Sequence, residues 1–145
     1  MKVLVQKVLS ASVCVDGGLV ADINSGYLLF VGIEKGDTTI QADFLARKVA
    51  NLRIFTDEND KMNLSIKDVG GKILAVSQFT LAANLDCGNR PGFDNAARPE
   101  EAKPLYEYFT KQLRNYDIEV KTGIFQADMK VSLINDGPCT FILQK

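Results

Sequence analysis

Residues 11–33 read ASVCVDGGLVADINSGYLLFVGI. Val13 and Val15 alternate with smaller or polar neighbours, as in a strand with one buried face. Asp16-Gly17-Gly18 is hairpin-turn chemistry, because a tight two-residue turn needs positive φ. Leu19 to Ile23 returns, Asn24-Ser25-Gly26 turns again, and Tyr27 to Ile33 is almost wholly apolar. That run is too short for a helix and suits a central strand covered on both faces. Upstream, Val3 to Val8 is a further β-rich stretch.

Helix signals follow. Thr38-Thr39-Ile40-Gln41 fits a capping box, in which hydroxyl and amide side chains satisfy otherwise unpaired N–H groups. Ile40, Phe44, Leu45, Val49 and Leu52 then recur at helical spacing. A second helix is expected near Pro99, with Ala102, Leu105, Tyr106, Phe109 and Leu113 as its buried stripe. Pro104 predicts a later start or a bend, since a proline past the first turn removes a hydrogen bond. Lys72 to Thr80, Ile118 to Lys121, Met129 to Asn135 and Cys139 to Leu143 read as strands. The pattern predicts roughly eight strands and two helices. The expected class is α/β, a mixed or antiparallel sheet with two main helices packed on it. No linker or repeat divides the chain, so residues 1–145 are expected to form one domain.

Composition narrows the chemistry. The 145 residues are 46% apolar and 24% charged, with 17 Lys+Arg against 18 Asp+Glu and a net charge of -1. There is no His. A Ser-His-Asp triad, a Cys-His pair, a His-ligated zinc and an imidazole base are therefore excluded. No surplus of positive charge marks a general nucleic-acid binder, so any RNA must be met through a local patch. Cys14, Cys87 and Cys139 are odd in number and far apart, which excludes a disulfide framework and an all-cysteine zinc site. No metal or cofactor is expected. Gln6, Lys7 and Ser10 interrupt the apolar N-terminus, which reads as a first strand and not a signal peptide. Reduced thiols and a cytoplasmic location are the expectation.

Two segments place polar groups within apolar strands. Ser77-Gln78-Phe79-Thr80-Leu81 ends a strand, and its hydroxyls and amide need partners or a ligand. From pattern alone the simpler reading is that Ser77 and Thr80 bond the backbone at a strand end. Asn135-Asp136-Gly137-Pro138-Cys139-Thr140 is a turn by composition, most simply a hairpin connection between the last two strands. Alternatively, Gly137 lets another backbone or a ligand approach closely.

SQFTLAA at 77–83 together with NDGPCTF at 135–141 resembles D-aminoacyl-tRNA deacylase of the bacterial and eukaryotic type. VLVQKV at the start, RIFTDENDKMNLS at 53–65, GNRPGF at 88–93, LYEYF at 105–109 and TGIFQADMKVSL at 122–133 extend the likeness over the whole chain. The resemblance implies hydrolysis of the ester joining a D-amino acid to the 3′ end of tRNA, and removal of glycine from tRNA(Ala). It implies a homodimer in which a cis Gly137-Pro138 of one subunit enters the pocket of the other and excludes L-amino acids. It also implies that the ribose 2′-OH assists attack by water, the protein supplying position and hydrogen bonds. Carried onto this chain, the substrate-binding residues are Ser77, Gln78, Phe79, Thr80, Leu81, Met129, Asn135, Gly137, Pro138 and Thr140. Gly137 and Pro138 set chiral selectivity. Main-chain donors are expected from Phe79 and Thr80. Thr80 is the candidate catalytic hydroxyl, with a strand-capping role as the equal alternative. Arg90, in a loop carrying the Phe93 ring, is the candidate tRNA contact, whereas Lys35 reads as a solvated surface charge.

The chain departs from the family pattern at three places. Lys7 stands where Arg is usual, and a point charge is not equivalent to a planar fork. Cys139 stands for Val, where a small apolar side chain fills similar space. Gly92 stands for Ser. Two rival readings are a cysteine hydrolase using Cys139 or Cys87, which lacks a His to activate the thiol, and a non-catalytic dimeric module binding tRNA or a metabolite in the same pocket.

Overall fold

The computed structural model describes residues 1–86 and 88–145. Cys87 lies outside the described residues. Strand β1 (Lys2–Val15) spans both early stretches expected as separate strands. It pairs first with β2 (Gly18–Ile23), then with β3 (Gly26–Gly32). Ala11 faces Ile23 and Val8 faces Gly26, so β2 and β3 follow one another along the same side of β1 without a slip of register. The Asp16-Gly17 turn thus closes one long hairpin, with Asp16 at φ 50° and Gly17 at φ 78°.

Strand β3 pairs in parallel with β6 (Lys72–Ser77), and β6 with β7 (Val120–Thr122). A parallel partner demands a long crossover, and α1 (Thr39–Ala50) lies within it. Gly26 is required where β3 starts against β6: a Cβ there would sit 1.8 Å from the Lys72 carbonyl oxygen. The sheet is mixed, as expected. Between α1 and β6, a short antiparallel pair, β4 (Arg53–Thr56) and β5 (Met62–Ser65), was not foreseen. Only Ile54, Phe55 and Ser65 of this pair are buried, so no alternation announces it.

The last strand, β8 (Lys130–Gln144), runs antiparallel along the other side of β1, from Cys14 opposite Lys130 to Lys2 opposite Gln144. The expected hairpin at Asn135–Cys139 is therefore corrected. Val8 faces Asn135 and Gln6 faces Thr140, so four residues of β8 (136–139) stand against Lys7 alone. Turn chemistry here builds a large bulge on an outer strand, the position where a residue without an N–H is tolerated. The Gly137–Pro138 peptide bond is cis.

Two apolar clusters cover the two faces of the sheet. Val3, Val5, Tyr27, Leu29, Val31, Ile73 and Ala75 pack against α1 and α2 (Pro99–Arg114). On the opposite face, Val8, Val13, Ala21 and Ile23 cluster with Leu28, Leu74 and Val76, with Met129, Val131 and Leu133 at their margin. Helix α1 carries the capping box: the Thr38 oxygen accepts from Ile40 N–H at 3.3 Å, and Gln41 Oε1 accepts from Thr38 N–H at 2.9 Å. Its buried stripe is Ala42, Leu45, Ala46, Val49 and Ala50. Ile40, expected on that stripe, is 71% exposed. It precedes Ala42 by about 200° of helical rotation, and small alanines form the close contact instead. Helix α2 begins at Pro99, a first-turn position that suits proline. The start near Pro99 is as expected, and of the two alternatives at Pro104 the later start is excluded, because the helix carries Pro104 inside on an exposed face.

Candidate active site

Parallel strands β3 and β6 end side by side, Val31 opposite Ser77. Side chains and connections beyond the carboxyl ends of such strands commonly frame a cleft. One of about 630 Å³ lies here. Val31 and Ile33 contribute from β3 and its end, and Val76, Ser77, Gln78 and Phe79 from β6 and its continuation. Ala97, Pro99, Ala102 and Tyr106 come from the start of α2, and residues 125–129 with Val131 from the segment entering β8.

The polypeptide after Ser77 is shaped for hydrogen bonding. Gln78 N–H still donates to the Val31 carbonyl at 2.8 Å, the last rung of the β3–β6 ladder. The chain then coils into a 3₁₀ turn, Phe79–Ala82, so β6 stops three residues before the expected Thr80. Gly32 makes room for this turn: a Cβ there would meet Leu81 Cβ at 2.9 Å and the Gln78 carbonyl at 3.1 Å. At the change of direction, the N–H groups of Phe79 and Thr80 donate no hydrogen bond among the described residues. They form a pair of adjacent donors where the chain leaves the cleft wall after Phe79. Thr80 Oγ1 accepts from Gln78 Nε2 at 2.6 Å. Phe79, 58% exposed, meets Phe93 edge-on with ring centres 5.1 Å apart, which brings the loop bearing Arg90 to the rim.

The inner wall is apolar and fixed. Tyr106 Oη donates to the Ala75 carbonyl at 2.9 Å, and its ring lies 6.0 Å from that of Phe125. Burial pushes the Tyr106 phenol well above the ordinary tyrosine value, so it stays neutral. Gly123 leaves space for Met129: a Cβ there would stand 2.5 Å from the Met129 sulfur. Asp128, the carboxylate on the wall, is paired with Lys130 Nζ at 2.7 Å.

Ser77, Gln78, Phe79 and Met129 thus share the cleft wall, with Thr80 beside the mouth and Leu81 packed behind it under Gly32. Asn135, Gly137, Pro138 and Thr140 lie elsewhere, on the β8 bulge beside Gln6 to Val8. Val3 marks the level of Val31 at the cleft, and Lys7 lies four residues on, about 13 Å along the strand. The bulge also lies across β1 from β3, so in a single chain bulge and cleft are separate features. The Asn135 side chain closes the bulge by donating to the carbonyls of Lys7 at 2.9 Å and Cys139 at 3.4 Å. Lys7 Nζ pairs with Asp136 at 2.8 Å and stands 5.4 Å from the centre of the Phe55 ring. Gly137 and Pro138 are exposed, whereas Cys139 is buried. Tyr106, Phe125 and Gly123 were not foreseen as site residues. Tyr106 sits on a helical stripe that reads as core, and it is both core and cleft wall.

A six-stranded mixed sheet with two helices on one face and a cleft at the ends of its parallel strands defines the structural class. The family described as D-Tyr-tRNA(Tyr) deacylase matches residues 4–144. The chain belongs to that family. Proteins named D-aminoacyl-tRNA deacylase are 56% identical in Pelobacter propionicus, over 100% of both chains, and 58% identical in Geotalea uraniireducens, over 99% of this chain and 93% of the relative. A solved structure titled c-Myc DNA unwinding element binding protein superposes with a TM-score of 0.94 at 40% identity, covering 100% of this chain and 99% of the other. A second, a probable eukaryotic D-amino acid tRNA deacylase, gives a TM-score of 0.80 at 16% identity over 98% and 97% of the two chains, a likeness of fold.

Proposed function

We propose that this protein hydrolyses the ester of D-aminoacyl-tRNA. Water attacks the ester carbonyl, the bond from that carbon to the ribose oxygen breaks, and free D-amino acid and tRNA leave. The relatives' shared name supports the reaction, and the adjacent unpaired N–H groups of Phe79 and Thr80 are the observation that carries the site. Such donors bind the ester oxygen and stabilise the negative charge that grows on it. The chain has no His, and the Tyr106 phenol is locked neutral. In this reading, which follows the family resemblance, proton transfer is left to the substrate, whose terminal ribose 2′-OH stands next to the ester. The Thr80 hydroxyl orients Gln78 and is not the base.

Two copies act together in this reading. The exposed Gly137–Pro138 bulge of one copy enters the cleft of the other, where its main chain occupies the space an L side chain would need. A filter made of backbone tests the configuration at the α-carbon and ignores the identity of the side chain. Glycine has no side chain to reject, so glycyl-tRNA(Ala) is also a substrate. Supporting the pairing, Leu4 lies between Phe30 and Ile142 on the face of the sheet away from the helices, and Ile142 is 70% exposed. The terminal nucleotide enters past Phe79 and Phe93, with Arg90 beside the RNA.

The test is turnover of D-tyrosyl-tRNA by purified protein, repeated after thiol alkylation and with tRNA ending in 2′-deoxyadenosine. Full rate after alkylation and loss with the deoxy substrate are expected. Clean binding without turnover favours a binding module, and loss on alkylation favours a cysteine hydrolase.

A further inference from the structure

Three cations from two distant parts of the sequence converge on one ring. The charged groups of Arg47 and Lys48, in the last turn of α1, lie 5.8 Å from the centre of Phe44, and Lys145 Nζ lies 5.2 Å from it. No two of them are then more than about 12 Å apart. Among the described residues none of the three makes an ion pair. The adjacent carboxylate, Asp43, accepts from Tyr108 Oη at 2.9 Å. The end of α1 explains Arg47 and Lys48, because cations suit a helix C-terminus. It does not explain Lys145, brought alongside by β8. On a chain of net charge -1, this is a concentration of three cations around one ring, with the single Asp43 carboxylate beside them.

Lys145 and the cleft share one end of the sheet, and α1 runs from that end toward the start of β3, where the Leu52 carbonyl accepts from Tyr27 Oη at 3.1 Å. Ile33 lines the cleft, Glu34 pairs with the Met1 α-ammonium at 3.1 Å, and the Met1 carbonyl accepts from Lys145 N–H at 3.2 Å. The patch is on the helix-covered face, away from the face assigned above to the second copy.

We propose that Arg47, Lys48 and Lys145 dock the phosphate backbone of the RNA whose terminal nucleotide enters the cleft. This rests on the function proposed above. Phosphates recur about every 3.4 Å of helix axis along each strand, so a polyanion engages closely set cations together where a single anion engages one. Lys145 also makes the site a product of the fold and not of α1 alone.

The experiment measures Kd for uncharged tRNA between 50 and 200 mM salt, with the wild type, the double variant Arg47→Gln/Lys48→Gln, and Lys61→Gln as a distant exposed control. Each lost phosphate contact shallows the log–log salt slope by about 0.9 on duplex or 0.7 on single-stranded RNA. Over this fourfold salt range, wild-type affinity should therefore fall about 7- to 12-fold more than that of the double variant. Lys61→Gln should keep the wild-type slope, and hydrolysis of D-tyrosyl-adenosine should be equal for all three. An unchanged slope in the double variant, an equal change in Lys61→Gln, or no tRNA binding by the wild type overturns the proposal. Wild type that binds tRNA with the expected slopes but leaves D-tyrosyl-tRNA intact overturns the proposed reaction alone.

Discussion

Gly123 tests the cleft's architecture at a point remote from its hydrogen-bonding residues. Its N–H donates to the Ala75 carbonyl at 3.0 Å, which fixes the backbone at the edge of the cleft. In Gly123→Ala the new Cβ would stand 2.5 Å from the Met129 sulfur, and 3.7 Å from Val13 Cγ1. Ordinary contact requires the sulfur to retreat by about 1 Å. Methionine is flexible, so leaving its preferred rotamer costs only about 0.5–1.5 kcal/mol. The thioether cannot move toward Gly123, and the retreat carries it across the cleft wall. Misplacement of about 1 Å at a site that works by positioning costs up to about 100-fold. The expected result is a small loss of stability in urea denaturation with a 10- to 100-fold fall in kcat/KM on D-tyrosyl-tRNA. In the Met129→Ala background the same substitution has nothing to displace and should be nearly silent. Equal effects in both backgrounds, or full activity of folded Gly123→Ala, would show that the Met129 sulfur does not shape the cleft.

Other consequences are simpler to read. Thr80→Val removes the acceptor for Gln78 but keeps the main-chain N–H, so kcat should stay within about tenfold of wild type, below the roughly 100- to 10,000-fold that proton transfer by a side chain contributes; a 1,000-fold loss would assign the hydroxyl to catalysis. Asn135→Ala frees the bulge from the Lys7 and Cys139 carbonyls, and D/L discrimination on tyrosyl-tRNA should weaken while the rate on glycyl-tRNA(Ala) is kept. Tyr106→Phe leaves the Ala75 carbonyl with its Gly123 donor, so denaturation should report a loss of only about 0.5–1.5 kcal/mol. Burial opposes ionisation of Glu34, but hydrogen bonds from Lys2 and the Met1 ammonium outweigh it and hold the carboxyl below the ordinary value. Its stabilisation is complete above the unfolded carboxylate pKa and is lost as pH falls through the lower folded one. Glu34→Gln should accordingly flatten the acid limb of the stability profile.

Legibility in the sequence tracked how locally each feature is determined. The Asp16-Gly17 turn, the capping box at Thr38 and Gln41, and the apolar run from Tyr27 are decided by near neighbours, and each is found where expected. The bulge at 136–139 was not legible as a bulge, because turn composition is the same whether the chain reverses or bulges; only pairing with distant Gln6 and Val8 decides it. Ile40 lost the core to Ala42 and Ala46 because close packing of α1 favours small side chains over more apolar ones. At the site, Ser77 to Phe79 and Met129 stood out through family likeness. Tyr106 and Phe125 did not, since a wall residue on an apolar stripe carries the same pattern as core. The separation of the Gly137–Pro138 bulge from the cleft is a property of register and no local signal reports it.

Selection of configuration by backbone is the property proposed for this cleft. Its most direct measurement is deacylation of matched D- and L-tyrosyl-tRNA by the same preparation. Rapid hydrolysis of the D substrate is expected, with the L substrate spared by orders of magnitude. Equal rates on both, or hydrolysis of the L substrate alone, would contradict it.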